Sequence, residues 1–172
     1  MADPTDDAPG ERGRAIYAEY IREQLAGQEA RKTSLEQRGL SVVTTSGALV
    51  TLLFGLTTLA VEREAFTLPG ASRALLVVAI VFFVAAAVAA IVTNMPLSYE
   101  GVTPGALREA VKDRWQDSEA TAAEMTSLTR IKVLESARRR NNIKAIALFA
   151  GMVSEIVAVA LVGTAVAFVV WS

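Results

Sequence analysis

Three long stretches of apolar residues dominate the chain. They run from Leu40 to Val61, from Ala74 to Thr93 and from Ala145 to Trp171, and together they contain a single charged residue, Glu155. As helices they would extend about 33, 30 and 40 Å, against a bilayer hydrocarbon core of about 30 Å. A chain of 172 residues has too little other material to surround three helices that are apolar on every side. The pattern therefore predicts an all-α integral membrane bundle with three transmembrane helices.

The distribution of positive charge predicts how these helices cross the membrane. Of the 17 Lys and Arg residues, fifteen lie before the first apolar run or between the second and third, and two lie between the first and second. Basic residues concentrate in cytoplasmic loops, so we expect the N-terminus and residues 96–144 in the cytoplasm and the C-terminus outside. The net charge is only -1, and we therefore expect no binding of a nucleic-acid polymer.

The segments before the first apolar run divide into a tail and a helix. Residues 1–10 are small, acidic and proline-containing, which predicts a disordered tail. Residues 11–38 favour a cytoplasmic amphipathic helix. Thr33 and Glu36 have the spacing of a capping box, so a helix is expected to restart there and enter the membrane. A proline–glycine pair between the first two apolar runs favours a tight turn, and hence an antiparallel hairpin.

The segment 96–144 is predicted to be a cytoplasmic helical segment, with an amphipathic helix that begins at Pro104 and, if unbroken, continues to Arg140. Thr103 suits an N-cap, and Pro104 suits the first helical position because its fixed φ and missing N–H cost nothing there. The stripe that follows needs a partner, either the N-terminal helix of the same chain or the same element of another copy. Its members recur every three or four residues and are Leu107, Val111, Trp115, Ser118, Ala122, Met125, Leu128 and Ile131.

Glu155 is the strongest candidate for a functional residue. An ionised carboxylate is costly in lipid, so Glu155 and its neighbour Ser154 are expected to face other helices or water. Counted from the basic residues that precede each run, Thr51 lies at a similar depth and is the predicted hydrogen-bond partner, within or between subunits. Three roles stay open for the carboxylate: a polar clamp between helices, a gate or cation-selective ring in an oligomeric pore, and a proton-coupled site.

The first apolar run also carries a small and hydroxylated face. In lipid, such residues let helices approach closely and hydrogen-bond across the contact. The face can therefore be a packing seam between helices, or it can line a water-filled path in an oligomer. It consists of Thr44, Gly47, Thr51, Gly55 and Thr58.

The basic residues near the third run have two interpretations. They can orient the chain and attract anionic lipid headgroups. Alternatively, they can contact the phosphate groups of a cytoplasmic ligand, because guanidinium groups match phosphate oxygens. These residues are Arg130, Lys132, Arg138, Arg139 and Arg140.

Cysteine and histidine are both absent from the chain. Without them the common metal ligands and nucleophile–base pairs are missing. The remaining carboxylates are scattered on solvated helices without partners at a fixed spacing. We therefore expect no enzymatic activity, no metal site and no cofactor.

The order of parts, a cytoplasmic helix, a hairpin of two spans, a long cytoplasmic helix and a third span, resembles small bacterial transmembrane effectors of cyclic-nucleotide antiphage systems. These include the Pycsar transmembrane effector and the SLATT type. Where the Pycsar family begins its first span with an acidic-x-Lys-Ala step and then Asn-Gly, this chain has Glu36, Arg38 and Gly39, then Ser46 and Gly47, and only the last glycine is identical.

This resemblance implies a homo-oligomeric effector of the bacterial inner membrane. Such a protein would sense a cyclic nucleotide through its cytoplasmic helices and then impair membrane integrity during antiphage defence. The alternatives are a non-conducting membrane scaffold or accessory subunit and, third, a proton-coupled small transporter.

Overall fold

In the computed structural model, which describes residues 9–61, 69–96 and 103–171, all regular secondary structure is helical. Three of the four helices are long and apolar enough to cross a membrane. This confirms the predicted helical class and the three candidate spans. The predicted tail, apart from its last two residues, lies outside the described residues. Pro69 and Gly70, predicted to form a tight turn, are instead the N-cap and the first residue of the second helix. The helices are α1 (Pro9–Val61), α2 (Gly70–Asn94), α3 (Pro104–Arg114) and α4 (Glu119–Trp171).

Helix α1 passes without a break through Thr33, where the sequence predicted that a helix would restart. That prediction is wrong for a physical reason. A capping box satisfies backbone N–H groups that have no helical acceptor, whereas in α1 the preceding turn already supplies the acceptors. The Glu36 side chain is therefore available for another partner and binds Lys144.

The predicted long helix of segment 96–144 is two helices. The start of α3 is as predicted, because the backbone N–H of Ala106 donates to Thr103 Oγ1 at 3.3 Å. The helix ends at Arg114, and α4 begins after Ser118, whose Oγ accepts from the backbone N–H of Thr121 at 3.3 Å. Ser118 was assigned to the apolar stripe by its spacing, but it acts as an N-cap, a position that serine strongly favours. The stripe is therefore divided between two helices.

One compact unit contains the part of α1 up to Lys32, α3 and the part of α4 up to Asn141. Its buried apolar residues include Ile21, Leu134 and Ala137. The buried side chain of Asn141 donates to the backbone O of Gln28 at 2.9 Å and to its Oε1 at 3.1 Å. These hydrogen bonds satisfy the buried side-chain amide of Asn141, which would reduce the stability of the fold if it had no partner.

The other compact unit contains the remainder of α1 and α4 together with α2. The α2 and α4 contacts run antiparallel: Thr93, near the end of α2, approaches Lys144, while Gly151 approaches Ala86. A spacing of seven between buried residues is typical of left-handed helix packing, and small side chains let helices approach closely in lipid. The buried residues at this spacing are Ser72, Ala79, Ala86 and Thr93 on α2, and Lys144, Gly151, Ala158 and Ala165 on α4.

Within this second unit, α1 lies parallel to α4. Glu36 contacts Lys144, and ten residues later Ser46 contacts Glu155, so the contacts advance in the same direction along both helices. Helix α1 is antiparallel to α2. Gly39, near the start of the part of α1 that belongs to this unit, lies against the last turn of α2. A Cβ on Gly39 would lie 2.7 Å from Asn94 Nδ2, which shows how closely the two helices approach there.

Candidate functional site

Glu155 lies where α4 packs against α1. Ser46 Oγ donates a hydrogen bond to Glu155 Oε1 at 3.3 Å. Ser46 is 2% exposed, whereas Glu155 and its neighbour Ser154 are half-buried. A carboxylate has about four lone-pair sites, so one hydroxyl uses only part of its acceptor capacity. Within the chain, a helix face receives Glu155 and leaves it able to accept further hydrogen bonds.

Thr51, the predicted partner of Glu155, is not its partner within the chain. Thr51 Oγ1 donates to the carbonyl oxygen four residues earlier in α1, at 2.9 Å. Thr44 and Thr58 do the same at 3.0 and 2.9 Å, and all three side chains are exposed. A backbone acceptor in the same helix satisfies each hydroxyl, so these residues do not form a packing seam inside the chain.

The register of α1 against α4 determines that Ser46, rather than Thr51, meets Glu155 within the chain. The sequence estimate treated Arg38 and Lys144 as equivalent positions before their apolar runs. In the structure, Lys144 pairs with Glu36, two residues before Arg38. Ser46 lies ten residues beyond Glu36, and Glu155 lies eleven beyond Lys144, so the two pairs are separated by about 15 Å along each helix. Ser46 is therefore level with Glu155, and Thr51 lies more than a turn further on.

The Glu36–Lys144 ion pair was not predicted from the sequence. Lys144 Nζ lies 2.5 Å from Glu36 Oε1, with side-chain exposures of 2% for the lysine and 31% for the glutamate. In the sequence, Lys144 was interpreted only as a positive charge that orients the third span. Its position directly before that span was the feature that could have indicated an ion pair, because a long lysine side chain there can turn towards the protein as readily as towards lipid headgroups.

Helix α2 closes this end of the bundle. Thr93 Oγ1 donates to the backbone O of Ala89 at 3.0 Å and lies 3.5 Å from the backbone O of Lys144. Asn94 Nδ2 donates to the backbone O of Ala90 at 2.9 Å. All three helices of the unit therefore contribute polar groups around the ion pair, and a second polar contact, Ser46 with Glu155, follows along the α1–α4 seam.

The five predicted phosphate contacts do not form a single site. Arg138, Arg139 and Arg140 are consecutive, so their side chains leave α4 about 100° apart. Arg138 donates to Gln24 Oε1 at 3.0 Å, on α1 of the same unit. Lys132 is exposed, and Arg130 is half-buried.

Arg130 lies at a cleft of about 600 Å³ between α3 and α4. The cleft has an apolar lining that includes Leu107 and Met125, and Arg114 lies at it together with Arg130. Its lining also includes the carboxylates of Glu109 and Asp113, which oppose an anion that carries no positive or hydrogen-donating groups. The remaining residues at the cleft are Ala106, Ala110, Thr126 and Thr129.

Across the described residues, no group of three or more Asp or Glu side chains is arranged to hold a metal ion. Comparisons with protein-family models, with curated proteins and with solved structures gave no significant match. In the described part of the chain, the features that bear on function are the two polar contacts of the α1–α4 seam, the exposed threonine face and the cleft between α3 and α4.

Proposed function

We propose that this chain is a multi-pass protein of the bacterial inner membrane that assembles into a homo-oligomeric effector or channel. In this proposal α1, α2 and α4 each cross the bilayer, with the N-terminus and residues 96–144 in the cytoplasm and the C-terminus outside. The concentration of fifteen Lys and Arg residues in the proposed cytoplasmic segments supports this orientation. The parallel course of α1 and α4, with α2 antiparallel to both, fits three successive crossings.

Close packing within the chain supports the requirement for several copies. A Cβ on Gly151 would lie 3.3 Å from the backbone O of Ala86, and Phe83 and Ala158 are essentially inaccessible. At these positions the interface between α2 and α4 has no space for water or ions. Any path for ions must lie between copies of the chain or along an outer face.

The observation that carries the proposal is the half-buried Glu155 within the third apolar run. An intramembrane carboxylate faces protein or water, and it is costly unless it has a function or several partners. In the described part of the chain its hydrogen-bond partner is Ser46, at 3.3 Å. We infer that neighbouring copies or water supply the remaining donors, and that Glu155 attracts cations to that path.

The cytoplasmic signal is proposed to act at the cleft between α3 and α4. The resemblance to antiphage effectors implies a cyclic nucleotide. Arg114 and Arg130 are suited to its phosphate, and Glu109 and Asp113 are suited to the amino groups of its base. Binding would draw α3 towards α4 and so act on the helix that continues into the third span. The resulting loss of membrane integrity would stop phage propagation.

Flux from liposomes tests the proposal. The purified protein is reconstituted, and cation and anion fluxes are measured with and without cyclic nucleotides. Glu155→Gln keeps the shape of the side chain and its ability to accept from Ser46, but removes the charge. We expect the variant to assemble normally and to lose the preference for cations. Glu135→Gln is the matched control, because Glu135 is an exposed residue of α4 outside the apolar run.

A non-conducting scaffold is the second candidate, and the Ser46–Glu155 contact favours it, because a polar clamp between α1 and α4 needs no path for ions. Under this alternative, no nucleotide produces flux and Ser46→Ala weakens the bundle. Unchanged ion selectivity in a normally assembled Glu155→Gln protein would contradict the channel. Substrate uptake that is driven by a pH gradient and abolished in the same variant would instead indicate a proton-coupled transporter.

A further inference from the structure

Helix α3 and the residue that follows it carry an apolar stripe that no other described part of the chain covers. Leu107, Val111 and Trp115 follow one another at steps of four, so they lie along one side of the helix. Their exposed fractions are 53%, 53% and 79%. No residue of α3 is buried. The stripe therefore needs an apolar environment from outside the described chain.

The charged residues of α3 are arranged around this stripe by sign. At about 100° per residue, Arg108 and Lys112 flank the stripe on one side, and Arg114 flanks it on the other. Glu109 and Asp113 lie on the opposite side of the helix and contribute to the cleft with α4, whose edge nearest the stripe is formed by Leu107 and Arg114. An apolar stripe with cations on both flanks and acids on the far side is typical of helices that lie in a membrane interface.

We propose that α3 binds the surface of an anionic bilayer, with the stripe of Leu107, Val111 and Trp115 at the boundary between headgroups and acyl chains. Arg108 and Lys112 then lie at the level of the lipid phosphates, and Arg114 stays at the cleft with α4. The proposal rests on the membrane orientation proposed above, in which α2 ends at the cytoplasmic surface. Pro104 is the tenth residue after Asn94, so α3 begins within about 35 Å of that surface.

Trp115 is well suited to this location. Tryptophan is enriched at membrane interfaces, because its ring is largely apolar and its indole N–H needs a polar partner. Trp115 follows directly after Arg114, the last residue of α3, and is the most exposed member of the stripe. Basic residues near an anionic surface add a favourable contribution for each charge.

The same charges argue against a second copy of α3 as the partner. In a symmetric contact between two copies, the same stripe faces itself. The three flanking cations of one copy would then lie beside those of the other, and like charges so placed repel. The acids that could neutralise them lie on the far side of each helix. An anionic lipid surface satisfies both the stripe and its cations.

Tryptophan fluorescence tests the proposal in the full-length protein. The chain has two tryptophans, so Trp171→Phe leaves Trp115 as the only tryptophan, and excitation on the red edge of the absorption band selects it over the three tyrosines. In vesicles that contain anionic lipid, we expect blue-shifted emission from Trp115 and quenching by lipids brominated in the upper acyl chain. Red-shifted emission that is quenched by aqueous iodide would overturn the proposal. The proposal would also be overturned if Trp115 were shielded from iodide only at high protein density and were not quenched by brominated lipid. That result would indicate that a second copy of the chain covers the stripe.

Charge variants test the role of the cations. In the Trp171→Phe background, Arg108→Gln with Lys112→Gln should reduce the ratio of bound to unbound α3 about 30-fold, since each cation near an anionic surface contributes about fivefold. Lys132→Gln with Arg139→Gln is the matched control, because it removes the same charge from exposed positions of α4. An equal loss of quenching in both variants would contradict a specific role for α3.

The second tryptophan separates this inference from the proposed function. In Trp115→Phe, Trp171 remains at the end of α4 and should be quenched by brominated lipid if α4 crosses the bilayer. Quenching of Trp171 without quenching of Trp115 would overturn the surface location of α3 alone. Absence of quenching at both tryptophans would overturn the membrane orientation as well.

Discussion

Replacing either member of the Glu36–Lys144 pair should cost very different amounts of stability. Glu36→Gln removes the negative charge and keeps the size of the side chain. It leaves the Lys144 ammonium with 2% exposure and without a charged partner within the pair. Lys144→Met replaces the long amphipathic side chain with an apolar one of similar length. It leaves a carboxylate that is 31% exposed and can be hydrated.

The two exposures set the expected magnitudes. Breaking a buried ion pair by removing one partner costs about 3–5 kcal/mol. Glu36→Gln should cost about 3 kcal/mol, at the low end of this range, because the amide oxygen still accepts a hydrogen bond from the ammonium. Lys144→Met should cost about 1 kcal/mol, since water reaches the remaining carboxylate. The double variant leaves no buried charge, so it should be more stable than Glu36→Gln alone.

Equilibrium unfolding in mixed micelles, followed by circular dichroism, measures these free energies. A double-mutant cycle from the four proteins should give a coupling energy of about 2–3 kcal/mol. Single variants that cost the same, or a double variant that costs the sum of the two, would refute the reasoning. Either result would mean that the ammonium is hydrated in the folded protein and that the pair does not determine how α1 and α4 pack.

Two further changes test the packing of each compact unit. Gly151→Leu should destabilise the α2–α4 contact by about 1–3 kcal/mol, because a Cβ there already lies 3.3 Å from a backbone oxygen. Gly163→Leu, with nothing within 4 Å, should be neutral or stabilising, and equal thermal stability of the two proteins in detergent would contradict the close packing. Asn141→Ala removes the buried bonds to Gln28 and should cost about 1–3 kcal/mol in the same unfolding assay, whereas Asn142→Ala, at an exposed position, should cost much less. Similar losses in both variants would show that these bonds contribute little.

The candidate site was only partly predictable from the sequence. A charged residue inside an apolar run is visible in the sequence, so Glu155 was identified. Its partner depended on the register of two helices that are more than a hundred residues apart along the chain, and that register places Ser46, five residues before Thr51, level with Glu155. Lys144 itself gave no indication of burial, because burial depends on what packs beside it rather than on its neighbours in the sequence.

By itself, the sequence determined the local features of this protein. Apolar composition defined three helices that can cross a membrane, and the preference of Thr103 for a helix start located the first residue of α3. The tertiary structure decided the direction and register of the helices and the burial of Lys144. The physical reason is that composition and capping act within a few residues, whereas register follows from close approach at Gly39 and Gly151, where side chains from distant parts of the chain must fit together.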